Sequence, residues 1–351
     1  MKYIELYEQL RNDIVNGFYP YSSRIPSKRT LADKAGISVV TVEHALELLY
    51  DEGYIESRER SGYFVTYSAD GQFAMPERPG RAPTPHLPGN VPEESFPISV
   101  ISKTMRRVLT DYGEEILKKC PNEGTPELRS AIAGYLRRSR KMDVTSERII
   151  IGAGAEYLYS LIVQIIGRDK VYAIEDPSYE QIENVYKANS VRLKKLPLGE
   201  NGIKSSALKE AKADVLHITP YRSFPSGVTA DASKKREYIL KAEKDGMIIV
   251  EDDFESEFTL SKKSEETVFS LTKSDNVIYL NTFSKTVAPS ARIGYLVLPA
   301  SLTDSFYKNA GFYSCTVSSF EQFVMAQLIE NGDFERHINR VRRKKRKKQN
   351  N

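Results

Sequence analysis

The chain has no tryptophan, only two cysteines and only four histidines in 351 residues. Cys120 and Cys315 are far apart and show no CxxC spacing, so neither a disulfide framework nor a thiolate metal site is expected; they read as two reduced thiols. The histidines, at 44, 86, 217 and 337, form no metal-ligand cluster. No apolar run reaches the ~18 residues of a membrane span. The N-terminus, Met1-Lys2-Tyr3-Ile4-Glu5-Leu6, lacks the apolar core of a signal peptide. A cytoplasmic protein without metal is the expectation. Hydrophobic residues at 40% and charged residues at 28% give an ordinary globular balance, and the length suits two or three domains. A large basic excess is also lacking. Nine of the basic residues lie between Arg336 and Lys348, and taking them from the net +4 leaves −5. Residues 1–67 hold eight basic and ten acidic residues, so nucleic-acid binding there would rest on positioned charges.

Residues 3–16 carry Ile4, Tyr7, Leu10 and Ile14 at helical spacing, and Gly17 stops the pattern. Pro20 to Pro26 reads as a turn. Ser27 is an N-cap for a short helix from Lys28 to Lys34, ended by Gly36. Ser38 caps a third helix, Val39 to Glu52, with Val42, Ala45, Leu46 and Leu49 on one face. Two strand-like runs, 54–57 and 63–66, flank a polar turn with Ser61 and Gly62. Three helices and a hairpin make the plan of a winged helix-turn-helix. Residues 68–97 hold seven prolines and no periodicity, which marks a Pro/Gly-rich linker. From 98 onward, strand-like runs at 149–151, 171–174, 191–193, 215–218, 247–250 and 277–280 alternate with helical patterns at 125–140, 155–167, 178–188 and 232–245. That alternation predicts an α/β domain with a mostly parallel sheet, whose ligands bind at the carboxyl ends of the strands.

Each chemically suggestive motif follows such a run. Gly152-Ala153-Gly154-Ala155 sits between a strand and a helix, where backbone N–H groups can approach a phosphate or simply make a tight turn. Tyr179, in Asp176-Pro177-Ser178-Tyr179, can stack on an aromatic ring or pack. Glu251-Asp252-Asp253-Phe254 offers a carboxylate to a protonated pyridine nitrogen, or a solvated acidic loop. Asn281-Thr282-Phe283-Ser284-Lys285 supplies a lysine able to form an imine, and Arg292 follows seven residues later with a fork of donors for a phosphate.

In this order, these motifs resemble fold-type I aminotransferases. The whole chain resembles the MocR/GabR-type regulators, in which a GntR-type winged helix is fused to an aminotransferase-like domain. The GntR resemblance rests on Ser27-Lys28-Arg29-Thr30-Leu31-Ala32, Gly36-Ile37-Ser38, Ala45-Leu46 and Gly53-Tyr54-Ile55. It implies domains at 1–67 and 98–335, a linker at 68–97, and a basic tail at 336–351 that begins an incomplete C-terminal subdomain. It implies pyridoxal 5'-phosphate held by Lys285 as a Schiff base. Arg292, Thr282, Gly154 and Ala155 would take the phosphate, Asp252 the pyridine nitrogen (Asp253 being the alternative), and Tyr179 would stack near the ring. Ser27 and Arg29 would touch the DNA backbone or groove edge, Ser38, Val39 and Thr41 would enter the major groove, and Ser61 and Gly62 would reach the adjacent groove. A homodimer, double-stranded operator DNA and an amine, amino-acid-like or vitamin B6-related effector are the implied partners.

The sequence departs from this family in four places. Phe254 stands where a tyrosine usually bonds the cofactor's 3-oxygen, so efficient transamination is not expected. Tyr221-Arg222-Ser223 replaces the usual Ser-His-Gln. The start of the recognition helix carries Val39 and Glu43 where bases are common; Glu43 could accept from cytosine N4 or be a solvated helix charge. No arginine for a substrate α-carboxylate stands at its expected place before the chain ends.

Overall fold

A computed structural model describes residues 2–68, 94–261 and 265–350; the expected linker lies mostly outside these. The chain divides into two compact units, 1–88 and 89–351. In the first, α1 (Lys2–Val15), α2 (Lys28–Ala35) and α3 (Val39–Asp51) precede the antiparallel strands β1 (Ile55–Arg58) and β2 (Gly62–Val65). Leu6, Leu10 and Ile14 of α1 pack on Leu31 of α2, on Val42, Ala45, Leu46 and Leu49 of α3, and on Ile55 and Val65 of the wing. The expected turn before α2 contributes more than a turn, because Arg24 bridges to Phe64 and adds a third short edge to the wing. Gly36 ends α2 at φ 62°, a left-handed conformation that glycine adopts without steric cost.

The second unit opens with helices α4 (Ile98–Tyr112) and α5 (Pro126–Arg140). Then follow β3 (Ile149–Gly152), α6 (Ala155–Ile166), β4 (Val171–Asp176), α7 (Glu180–Ala188), β5 (Arg192–Gly199), β6 (Gly202–Ile203), α8 (Ser205–Glu210) and β7 (Val215–Ile218). The chain continues through α9 (Ala232–Asp245), β8 (Ile248–Asp252), α10 (Val268–Leu271), β9 (Val277–Thr282), β10 (Gly294–Val297), α11 (Ala300–Asn309), α12 (Ser319–Glu330) and α13 (Asp333–Asn350). The eight-stranded sheet has the order β3-β10-β9-β8-β7-β4-β5-β6. Strands β5, β4, β7, β8 and β9 run parallel, while β10 runs against both β9 and β3.

The strands β3, β7, β9 and β10 are buried along their length because both faces are covered. Ile149 and Ile151 point into the cluster that includes α5 and α12, and Ile150 points into the cluster with α6 and α11. Tyr279 and Tyr295 alternate in the same way with Leu280 and Leu296. The basic run lies in a long helix, α13, whose Phe334, Ile338 and Val341 are buried in the α5–α12 cluster. No helix among the described residues is long and apolar enough to cross a membrane.

Candidate functional site

Parallel strands bring β4, β7, β8 and β9 to one edge of the sheet at Asp176, Ile218, Asp252 and Thr282. Because β10 is antiparallel, its first residue, Gly294, pairs with both Thr282 and Gly152, so β3 ends there too. A cavity of about 310 Å³ opens at this edge, and Ala155, Tyr179, Asp252, Thr282, Lys285 and Arg292 all line it. Gly154 stands directly behind Arg292: a Cβ there would come within 2.8 Å of the guanidinium. Glycine at 154, at φ 91°, is therefore required by space as well as by backbone. Tyr179 is part-exposed and meets Phe224 edge-on, ring centroids 6.1 Å apart.

Asp252 carries the most pointed observation. The Tyr159 hydroxyl donates to its Oδ2 at 2.5 Å, and His217 Nε2 lies 3.7 Å from the same oxygen. Among the described residues its buried Oδ1 has no partner, and neither has His217 Nε2. An unpaired buried acceptor costs about 1–3 kcal/mol, and such a group facing a cavity suits a ligand N–H. Burial first, then the Asp252 charge, pushes the Tyr159 hydroxyl well above its ordinary value, so it stays a donor. Asp253 turns to the other face and pairs with Arg140 of α5 at 3.3 Å.

The other end of the cavity brings an uncapped helix start beside an arginine. Helix α6 starts behind Gly154 with no side-chain cap, leaving its first N–H groups without a capping side chain. Arg292, held at φ 43°, places Nη2 2.8 Å from Glu156 Oε2 and 3.4 Å from the Ala153 carbonyl. Burial pushes the Glu156 carboxyl up, but the hydrogen bond to Arg292, the residue's own backbone N–H and the Arg292 charge together outweigh it, and the net shift is downward. Glu156, Tyr159, Thr219, Phe224 and Ser284 also line the cavity, and sequence reasoning gave none of them a role. Glu156 alone left a readable signal: a charged residue two positions into a helix that opens on a glycine loop. Phe254 lines the cavity as well. An open carboxylate, a lysine, an uncapped helix start and an arginine fit pyridoxal phosphate in size and in charge.

In the first unit, Ser27 and Ser38 both cap helices, accepting from Thr30 N and Thr41 N at 3.2 Å each. Arg29, Val39 and Val40 are exposed at the starts of α2 and α3; Thr41 is half-buried and bonds Ser38. Ser61 and Gly62 form the tip and first strand residue of the wing. Glu43 is part-exposed on α3 and ion-paired with Lys28 of α2. The same ammonium lies 5.7 Å from the Tyr63 ring, so Lys28 ties α2, α3 and the wing together.

Comparison with known proteins agrees with both halves. Residues 2–65 match the bacterial regulatory proteins of the gntR family, and residues 90–350 match aminotransferase class I and II. An uncharacterized HTH-type transcriptional regulator, YdeL of Bacillus subtilis, is 33% identical over 356 residues, 99% of this chain and 77% of that protein. The probable rhizopine catabolism regulatory protein MocR of Rhizobium meliloti is 28% identical, over 97% of this chain and 74% of its own. Among solved structures, the kynurenine aminotransferase of Pyrococcus horikoshii, in complex with PMP, superposes with a TM-score of 0.66 at 25% identity, covering 73% of this chain and 66% of that one. The chain thus spans about two thirds of that aminotransferase. The aminotransferase class I and II fold is pyridoxal-phosphate dependent. With a gntR-type head and an aminotransferase body matched together along nearly its whole length, the chain belongs to the MocR-type family of HTH transcriptional regulators.

Proposed function

We propose that this regulator binds operator DNA through residues 1–67 and senses an amine, amino-acid-like or vitamin B6-related effector at the cavity above β8 and β9. The observation that carries the reading is the unpaired Asp252 Oδ1 in a cavity that also holds Lys285 and Arg292. Bound there, pyridoxal phosphate supplies a carbonyl that condenses with amines and a ring that acts as an electron sink. Lys285 anchors the cofactor covalently. Arg292, Thr282, Gly154, Ala155 and the start of α6 take its phosphate, Asp252 its ring nitrogen, and Tyr179 its open face. The Phe254 ring has no hydroxyl to donate, so the site holds and reports; transamination is residual at most.

On DNA, Arg29 and the backbone near Ser27 meet phosphates. Ser38, Val39 and Thr41 enter the major groove, the valines against thymine methyls, while Ser61 and Gly62 reach the neighbouring groove. Exposed Ile98 and Leu109 on α4, with Leu117 beyond it, support a homodimer, which suits paired half-sites. Effector binding would shift DNA affinity through a coupling of about 1–3 kcal/mol. The chromosome it reads places it in the cytoplasm.

The test adds pyridoxal phosphate to the protein and follows the visible band of the covalent lysine adduct. Wild type should show the band and Lys285→Ala should not; no band in wild type sinks the cofactor reading. In parallel, Arg29→Ala should bind duplex DNA more weakly than wild type, and equal binding sinks the assignment of the DNA face.

A further inference from the structure

The two cysteines, so distant in sequence, meet in the fold. Cys120 lies in the turn before α5 and Cys315 in the loop between α11 and α12. Gln322 of α12 gathers them: its Nε2 donates to Cys120 Sγ at 3.1 Å, to Cys315 Sγ at 3.4 Å and to the Val317 carbonyl at 2.9 Å. Its Oε1 accepts from Thr125 N at 2.8 Å, and the side chain is fully buried. The clamp is therefore rigid, while both thiols stay half-buried. Hydrogen bonding with the Cys120 thiol draws the Cys315 thiol down, against burial, while Cys120 itself is pushed up. Glu123 pushes Cys315 the other way, and Tyr157 is a further ionisable group beside it. Two half-buried thiols gathered on one buried amide, one of them shifted toward its thiolate, make the arrangement of a redox-reactive pair.

We propose that Cys120 and Cys315 form a reversible disulfide within one chain when the protein meets a peroxide. The Cys315 thiolate attacks a peroxide oxygen, becomes a sulfenic acid and releases hydroxide, which takes up a proton. The Cys120 sulfur then attacks the sulfenic sulfur, the S–S bond forms and water leaves. Two thiols are oxidised, one peroxide is reduced, and two waters result when the oxidant is hydrogen peroxide. The pair also touches the end of β3 and the loop that leads to the cavity: Cys315 Sγ lies 3.9 Å from the Ile151 carbonyl, and Thr316 Oγ1 accepts from Ala153 N at 3.1 Å. Drawing Cys315 toward Cys120 moves the support of the loop leading to Gly154 and the start of α6.

The test needs neither cofactor nor DNA. The full chain is treated with a small excess of hydrogen peroxide and its intact mass is read without reductant. The expected result is a loss of two hydrogens, a peptide map joining Cys120 to Cys315, and full reversal by dithiothreitol. In Cys120→Ser, Cys315 should stop at the sulfenic acid and be trapped by dimedone; in Cys315→Ser, Cys120 should remain a thiol. An unchanged mass, oxygen added only at methionine, or cross-links only between chains would overturn the proposal. The wild-type measurement decides the matter even if a variant fails to fold.

Discussion

Glu251, Asp252 and Asp253 are consecutive, acidic and buried, yet they serve two different regions of the molecule. Asp252 faces the open cavity with one oxygen unpaired. Asp253 faces a sealed network: Oδ2 accepts from the Ser256 hydroxyl at 2.6 Å and from Tyr279 at 2.8 Å, and Arg140 stands 3.3 Å away. Glu251 is sealed too, its two oxygens accepting from Val268 N at 2.7 Å and Phe269 N at 2.9 Å at the start of α10. Alternation at the end of a strand separates the three. The lesson is that burial does not mark a functional carboxylate. What marks it is an acceptor left open toward space that a ligand can fill.

The contrast can be broken most forcefully at Asp253. Asp253→Ala leaves Arg140 with a single buried acid, Glu257 at 3.1 Å, and should cost about 3–5 kcal/mol in urea unfolding. Asp252→Ala should cost far less stability but weaken pyridoxal phosphate binding. If Asp252→Ala proves the more destabilising, the division into open and sealed acids fails.

Glu251 tests the sealed side through pH. Burial raises its carboxyl to about 7, against its two backbone hydrogen bonds. The folded state then holds a proton that the unfolded chain, with a carboxyl near ~4.3, has already released. Its contribution is thus fully present below that unfolded value and is lost as pH rises toward about 7. The loss is on the order of 4 kcal/mol at about 1.4 kcal/mol per unit. Glu251→Gln cannot titrate, so the stability difference between wild type and variant should shift against wild type from pH 4 to pH 8. A difference independent of pH would mean that Glu251 is ionised throughout.

Much of this was legible beforehand. Ser27 and Ser38 announced their helices because a cap is a local device, and the apolar runs at 149–151, 215–218 and 277–280 announced buried strands. Local pattern could not show that Gly294–Val297 runs antiparallel and carries the Arg292 loop back beside Gly154. It could not show that Arg140, at the end of an ordinary-looking helix, is a buried counter-ion. Nor could it show that Cys120 and Cys315 share one glutamine. These facts depend on strand order and helix docking, which join residues more than a hundred positions apart.

The mildest way to sharpen the comparison lies at the anion end of the open cavity, where Glu156 holds Arg292 at 2.8 Å. A phosphate arriving there meets an arginine already paired and a carboxylate of its own sign. The pair is partly exposed, so its worth is that of a surface ion pair, about 0.2–1 kcal/mol. Glu156→Gln should therefore tighten pyridoxal phosphate binding by roughly 1.4- to 5-fold. It should also lower the stability of the cofactor-free protein slightly, by about 0.3–1 kcal/mol, because an acid in the first turn of α6 favours the helix dipole. A spectroscopic titration of the covalent adduct beside urea unfolding reads both effects. Opposite signs would show that Glu156 acts as the site's own stand-in for phosphate. Weaker binding in the variant would show instead that Glu156 orients Arg292 for the cofactor.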